Sequence, residues 1–148
     1  MCSLIRVELL ENKVLYEIVR GKRYKKLIDE AMTFVIDHLS MPENVWVDIN
    51  VRELGVGSWG WCNDLEEEDG YHHFEIEINK DLSSENMASV IFHEMKHVEQ
   101  IATGSLYRSI WEGIDQSKVR YQDRGWEKEA YEFEIDMMLL FSVNKKLP

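Results

Sequence analysis

One predicted helix, from about Ser84 to Ala102, constrains the fold more than any other segment of the chain. The sequence DLSS at 81–84 is a helix-start signal, and Glu85 complements the helix dipole in the first turn. Gly104 ends the helix. Its apolar residues recur every three or four positions and form one stripe, which must pack against the rest of the domain. The stripe consists of Met87, Ala88, Ile91, Met95, Val98 and Ala102.

The segments around this helix predict an α+β domain. An earlier helix is expected from Lys22 to position 40 or 41, because Pro42 disfavours helical backbone in the residue before it. Alternating apolar residues predict two strands, at 45–51 and 74–79. A final helix is expected over 126–142, and its apolar stripe contains Trp126, Ala130, Phe133, Met137 and Leu140.

Other segments give mixed patterns. Segment 55–62 is glycine-rich and predicts a twisted strand with a bulge, and the acidic run 64–69 predicts a solvated hairpin tip. Segments 106–111 and 118–121 predict two short strands around Gly113. Residues 3–20 are ambiguous: a strand is indicated by Ile5, Val7 and Leu9, and a helical face by Val14, Leu15, Ile18 and Val19.

Length and composition bound the class of protein. The 148 residues suffice for one domain spanning 1–148, and 45% hydrophobic with 30% charged residues is a globular composition. The net charge of −11 argues against a nucleic-acid partner, and the basic cluster at 22–26 is expected to be a solvated helix face. The sequence contains no stretch of about 18 uninterrupted apolar residues, so it predicts no membrane span. With Cys2 and Cys62 as ordinary thiols, a cytoplasmic location is expected.

The predicted helix from about Ser84 to Ala102 also contains the sequence His93-Glu94-Met95-Lys96-His97. Residues four apart project from the same face of a helix, so both imidazoles can direct a nitrogen at one metal ion. Glu94 can then reach a water bound to that ion. Both histidines lie on the far side from the apolar stripe, beside Gln100, and are therefore expected to face a cleft.

A zinc ion held in this way needs a third protein ligand, with the fourth position left to water. No histidine follows His97 in the sequence, so the third ligand is expected to be a carboxylate. The periodicity of the final helix mildly favours Glu129 and tolerates Glu127, but it does not decide between them. The acidic residues of this helix segment are Glu127, Glu129, Glu132 and Glu134.

HEMKHVEQ at 93–100, followed by WEKEAYEFE at 126–134, resembles zincin metallopeptidases with a glutamate ligand, the gluzincins. It is most similar to small zincin-like proteins that bacteriophages and bacteria encode, and the resemblance covers about residues 72–136. It implies a small mixed or antiparallel sheet packed on the HExxH helix, with a C-terminal helix carrying the third ligand. It also implies Zn²⁺ as the cofactor and, for a phage-encoded chain, the host cytoplasm as the location.

The resemblance ranks Glu127 first as the third ligand and Glu129 second. In some gluzincins the ligand glutamate stands three residues before an alanine, which corresponds to Glu127 and Ala130. In others it stands directly before the alanine, which corresponds to Glu129. Two positions depart from the pattern. Gly125 stands where similar sequences often have proline. Tyr131 stands where some gluzincins have an acidic residue that supports a ligand histidine, and Asp136 or Glu132 is expected to take that role.

The expected activity is zinc-dependent hydrolysis of peptide bonds in a protein or peptide substrate. Glu94 would act as general base and Tyr121 as the donor to the oxyanion, with Tyr107 and His73 as weaker candidates. An extended peptide would pair with strand 74–79 as the edge of the sheet. The alternative is a catalytically weak or inactive zincin-like protein that binds metal and acts through a partner. The charge of −11 counts against a third possibility, a DNA-associated protease.

Overall fold

The computed structural model describes residues 12–146, which form three α-helices, a four-stranded sheet and a small three-stranded sheet. The predicted α+β class is confirmed. Single 3₁₀ turns lie at Lys22–Tyr24 and Tyr121–Asp123. In chain order the elements are β1 (Val14–Arg20), α1 (Lys25–Ile36), β2 (Val45–Arg52), β3 (Gly60–Glu68), β4 (Tyr71–Asn79), α2 (Ser84–Ala102), β5 (Leu106–Tyr107), β6 (Ile110–Trp111), β7 (Ile114–Asp115) and α3 (Gly125–Lys146).

The larger sheet is mixed and has the strand order β1-β2-β4-β3. β2 pairs in parallel with β1 and with β4, whereas β3 runs antiparallel to β4 as the second arm of a hairpin. The prediction that strand 74–79 forms the edge of the sheet is therefore wrong. β4 is an interior strand, and β3 is the edge on that side, because β3 folds back along β4 as the other arm of their hairpin.

One face of this sheet carries the main core. Alternate residues of β2, from Val45 to Val51, are buried, and so are Phe74, Ile76 and Ile78 of β4. Helices α1 and α2 pack on this face, and α3 packs on α2. The opposite face is polar, and Glu75 there accepts hydrogen bonds from Asn50 at 2.7 Å and Asn63 at 3.0 Å.

Helix α2 has the bounds that the sequence predicts. The Ser83 hydroxyl accepts a hydrogen bond from the backbone N–H of Asn86 at 3.2 Å, which satisfies one of the free donors at the helix start. After the helix, Gly104 adopts a φ of 82°, a left-handed conformation that ends the helix at little cost for glycine. The predicted stripe faces the sheet, with Ala102 only partly buried. The far side is also covered, because α3 packs there.

Several boundaries differ from the predictions. Segment 14–20 is strand β1 rather than a helical face, because it pairs with β2, and Ile5, Val7 and Leu9 lie outside the described residues. Helix α1 ends at Ile36, before the region that Pro42 restricts. Segment 55–59 precedes the strand, while the acidic run forms most of the outer part of β3. Residues 118–120 are not a strand, and Tyr121 begins a 3₁₀ turn.

A second, smaller cluster of Leu106, Trp111 and Trp126 fixes the start of α3. A β-carbon on Gly125 would overlap the Trp111 ring, and the Gly125 N–H donates to the Gln116 side chain at 2.7 Å. Proline would lose this donor and meet the same ring, so glycine suits this packing. Among residues 12–146, no helix is long and apolar enough to cross a membrane.

Candidate metal centre

Two helices bring the side chains of His93, His97 and Glu127 together. The Oε1 atom of Glu127 lies 2.9 Å from Nε2 of His93 and 3.0 Å from Nε2 of His97. The two histidines lie one turn apart on α2, and Glu127 stands in the first turn of α3, which the tryptophan cluster holds against α2. One carboxylate oxygen thus contacts both imidazoles, which the HExxH spacing predicts to project from one face of the helix.

The two candidates for a carboxylate ligand occupy different surroundings. The Glu127 side chain is 1% exposed, whereas that of Glu129 is 44% exposed. Glu129 accepts a hydrogen bond from Nε2 of Gln100 at 3.1 Å and lies 3.8 Å from Nζ of Lys96. Glu127 thus contacts the two imidazoles, whereas Glu129 contacts Gln100 and Lys96.

Glu94 is buried beside the same cluster. His93, Glu94 and His97 each offer a donor atom, and these atoms lie within 4.8 Å of one another. Burial raises the pKa of Glu94, and the two histidines oppose this effect. These three residues could hold a metal ion, and the Glu127 oxygen in addition lies within 3.0 Å of both Nε2 atoms.

Each imidazole also has a hydrogen-bond partner at its Nδ1 atom. Nδ1 of His93 lies 2.9 Å from Oε1 of Glu134, whose other oxygen accepts a hydrogen bond from Ser89 at 2.8 Å. Nδ1 of His97 lies 2.8 Å from Oε1 of Gln100, whose amide nitrogen donates to the backbone carbonyl of Trp126 at 3.0 Å. These acceptors keep a proton on each Nδ1 and so direct each Nε2 towards Glu127.

Sequence reasoning did not assign these supporting roles. Neither Asp136 nor Glu132, the predicted supports, is found at His93: both are exposed on α3, and Glu134 contacts His93 instead. Glu134 stands seven positions, or two helical turns, after Glu127 and therefore lies on the same side of α3. The spacing of seven residues could therefore have predicted from the sequence that Glu134 lies near Glu127. Tyr131 lies between them and packs its ring 4.6 Å from the His93 ring.

A cleft of about 720 Å³ opens beside the cluster. The segment preceding β3 and the start of β3 form one wall, and Asn79 holds that segment by donating to the carbonyl of Ser58 at 2.7 Å. Of the predicted oxyanion donors, Tyr121 lines the cleft, while Tyr107 is exposed on β5 and His73 stacks on Trp46 in the sheet. The lining residues are Gly57, Ser58, Trp59, Gly60, Trp61, Ser89, Val90, His93, Glu94, Tyr121, Tyr131 and Glu134.

The electrostatics of the cluster favour a cation. Burial alone would lower the pKa of His93, but hydrogen bonds with Glu127 and Glu134 outweigh it and raise the pKa to about 9. The pKa of His97 is also raised, because contact with Glu127 outweighs burial. Burial would raise the pKa of Glu127, but both imidazoles together hold it well below its usual range. Burial and the charge of Glu127 raise the pKa of Tyr121, so this phenol keeps its proton.

The donor set fits zinc. Two neutral imidazoles and one carboxylate are the protein ligands of a catalytic zinc site that keeps its fourth position open. Tetrahedral bonds of about 2.0–2.1 Å place neighbouring ligand atoms roughly 3.3 Å apart. The separations of 2.9 and 3.0 Å between Glu127 and the two histidines need only a small expansion to reach that value.

Comparisons of the chain with known protein families, with curated proteins and with solved structures found no match. The geometry and chemistry of this site are therefore the only indications of its function.

Proposed function

We propose that this chain is a zinc-dependent metallopeptidase with a zincin-like arrangement, in which His93, His97 and Glu127 hold the ion. The observation that carries the proposal is the single Glu127 oxygen, 2.9 and 3.0 Å from the two Nε2 atoms. The acceptors behind the rings, Glu134 and Gln100, support it further, because they hold a proton on each Nδ1 and so leave Nε2 as the nitrogen that would bind a metal on releasing its own proton.

Zinc bound there would lower the pKa of a coordinated water and polarise the carbonyl of the substrate. Glu94 would accept the proton of the attacking water at its carboxylate and pass it to the leaving amine. Burial of Glu94 suits this role, because it raises the pKa and so makes the carboxylate a better proton acceptor and shuttle near neutral pH.

Tyr121 would donate its hydroxyl proton in a hydrogen bond to the oxyanion of the tetrahedral intermediate. It lines the cleft and keeps its proton because its pKa is raised. Tyr131 lines the same cleft from α3 and is the second phenol within the site.

A peptide substrate would approach along the edge of β3. This strand pairs only with β4 in the described sheet, and Gly60 and Trp61 at its start line the cleft. An extended peptide can add to such an edge through backbone hydrogen bonds, which select for chain conformation more than for sequence. This assignment replaces strand 74–79, which lies inside the sheet.

The test is a peptide-library digest with zinc-loaded wild type beside Glu94→Gln, with Glu85→Gln as the matched control. Glu85 is an exposed acidic residue in the first turn of the same helix. We expect cleavage by wild type and Glu85→Gln and its loss in Glu94→Gln, with one zinc retained in all three. If none cleaves any peptide while all bind zinc, the enzyme proposal fails, and the alternative of a zincin-like protein that acts through a partner replaces it.

A further inference from the structure

Trp59 and Trp61 form an aromatic wall of the cleft, and their rings have no cationic partner. They are 48 and 49% exposed and line the cleft on either side of Gly60. Elsewhere in the chain, Arg124 lies over two aromatic rings and Lys96 over a third. Among residues 12–146, no lysine or arginine lies over the ring of either tryptophan. Because indole attracts a cation more strongly than the other aromatic rings, this wall can accept one from a ligand.

The charge of the cleft favours a cation as well. Its lining residues include two carboxylates, Glu94 and Glu134, and no lysine or arginine. Basic side chains in the neighbourhood are engaged elsewhere: Arg124 donates to two backbone carbonyls, and Arg52 is paired with a glutamate of β4. Together with Glu127, the carboxylates at the centre outnumber the two positive charges of a zinc ion.

The acidic character continues along β3, the edge to which the proposed function assigns the substrate. The outer part of this strand carries Glu66, Glu67 and Glu68, which are exposed. No lysine or arginine within the described part of the chain forms an ion pair with them. At about 3.4 Å per residue they lie roughly 17–24 Å from Trp61 along the strand, which an extended peptide of about eight residues spans.

We propose that the cleft selects basic peptides: an extended segment rich in lysine or arginine binds along β3, with one cationic side chain over the indoles of Trp59 and Trp61 and others beside positions 66–68. This inference rests on the proposed peptidase function and names its class of substrate. Backbone pairing with β3 selects for conformation, and these side chains add the selection for charge. The net charge of −11 also steers a cationic peptide towards the protein and repels an acidic one.

An apolar segment is the competing occupant of an aromatic wall. It would cover the indoles, but beside it the carboxylates of β3 would lose water without gaining a partner, which costs free energy. A lysine or arginine suits both parts of the surface. Its apolar stem packs on a ring while its charged end reaches a carboxylate.

The first test measures binding by the fluorescence anisotropy of labelled peptides of about 12 residues, in which lysine, glutamine or glutamate alternates with serine. Zinc-loaded Glu94→Gln and metal-free wild type are both used, because neither should cleave the probe. The lysine peptide should bind at least about tenfold more tightly than the glutamine peptide at low salt, and the glutamate peptide should bind most weakly. Raising NaCl from about 20 to about 500 mM should remove most of this difference. Equal affinities for the lysine and glutamine peptides overturn the proposal.

Paired substitutions show whether β3 binds the peptide or only the net charge does. Glu67→Gln combined with Glu68→Gln should weaken binding of the lysine peptide about three- to tenfold. The charge-matched control combines Glu17→Gln with Asp37→Asn, which removes two exposed carboxylates from β1, the opposite edge of the sheet, and from the end of α1. The control should change binding little. Equal losses from the two pairs overturn the proposal.

The indoles are tested by combining Trp59→Leu with Trp61→Leu, which keeps an apolar wall. This pair should weaken binding of the lysine peptide about fivefold or more, with little effect on the glutamine peptide. Equal losses for both peptides would reduce the wall to a packing surface and overturn its assignment to a cation.

The peptide-library digest separates this inference from the proposed function. Cut sites that are enriched in neighbouring lysine and arginine, and depleted of aspartate and glutamate, support both. Cleavage without a preference for basic residues overturns the inference and leaves the peptidase standing. Selective binding of the lysine peptide without cleavage by zinc-loaded wild type overturns the peptidase and supports a cleft that holds basic peptides.

Discussion

Glu134 and His93 stand on different helices, and a hydrogen bond of 2.9 Å joins Oε1 of Glu134 to Nδ1 of His93. The other oxygen of Glu134 is held by the Ser89 hydroxyl at 2.8 Å. With both oxygens engaged, the Glu134 carboxylate is held in place, and the His93 imidazole cannot rotate without losing this partner. Helix α3 therefore supplies both the proposed third ligand and the support of the first.

This relationship predicts that Glu134→Ala weakens zinc binding about 10–100-fold, since losses of this kind behind a ligand have that size. Glu134→Gln, which can still accept a hydrogen bond from Nδ1, should lose less. The measurement is a competition titration of zinc against a chromophoric chelator. Glu132→Ala removes an exposed carboxylate from the same helix and serves as the control. Equal effects of Glu132→Ala and Glu134→Ala would show that the loss is only one of overall charge.

The third ligand is tested by comparing Glu127→Ala with Glu129→Ala. The first should lower zinc affinity more than about 100-fold, because loss of a direct ligand exceeds loss of a supporting residue. The second should change affinity little, because Glu129 contacts Gln100 and Lys96 rather than the two Nε2 atoms. Zinc per chain after dialysis, measured by elemental analysis, separates the two. Full retention of zinc in Glu127→Ala would transfer the role to another carboxylate.

For catalysis, Glu94→Gln should reduce kcat at least about 10²-fold while zinc stays bound, since general-base catalysis contributes roughly 10²–10⁴. The pair of rates must be measured on protein with equal zinc content. A loss of zinc from Glu94→Gln would instead place Glu94 among the ligands.

Substitution of each tyrosine in the cleft by phenylalanine distinguishes the roles of the two hydroxyl groups. Tyr121→Phe should lower kcat about 10- to 10³-fold if its hydroxyl donates to the oxyanion, with little change in KM. Tyr131→Phe keeps the ring that packs on His93 and is the matched control. A larger loss from Tyr131→Phe would exchange their roles.

Away from the metal centre, His72 predicts a pH-dependent contribution to stability. Burial alone would lower its pKa, but hydrogen bonds with Asp64 at 2.7 Å and Glu43 at 2.5 Å raise it. A raised pKa in the folded state stabilises the fold fully below the unfolded value of about 6.5, and this stability is lost as pH rises through the folded value.

The expected size is no more than about 1 kcal/mol, because both carboxylates are partly exposed and solvent screens the pairs. Urea unfolding of the metal-free protein should show that His72→Gln costs more stability near pH 6 than near pH 9. His38→Gln is the control, since Nδ1 of His38 faces the backbone carbonyl of Phe34. A cost that is equal at both pH values would assign His72 a packing role only.

Local patterns predicted helix α2 and strands β2 and β4 well, because their stripes and start signals agree with their burial. Strand β1 was ambiguous because Val14–Arg20 alternates weakly, and its pairing with β2 decides its conformation. In the last helix, the predicted stripe included Leu140, which is 47% exposed, whereas Phe141 is buried.

The periodicity of the last helix mildly favoured Glu129 as a ligand, whereas the structure buries Glu127. A stripe argument assumes that the buried side of a helix is apolar. The first turn of α3 instead buries Glu127 against two histidines of α2. Which strand forms the edge of the sheet was also beyond local patterns, because it depends on how the β3–β4 hairpin joins β2.

The wall of the cleft supplies its own spectroscopic reporter. Trp59 and Trp61 are about half exposed there, while Trp111 and Trp126 are buried. A peptide bound in the cleft, as proposed, would displace water from the first pair, and an indole that leaves water emits at shorter wavelength. Occupancy of the cleft by a peptide would therefore change the intrinsic fluorescence, and Glu94→Gln would allow that signal to be followed with an uncleaved peptide.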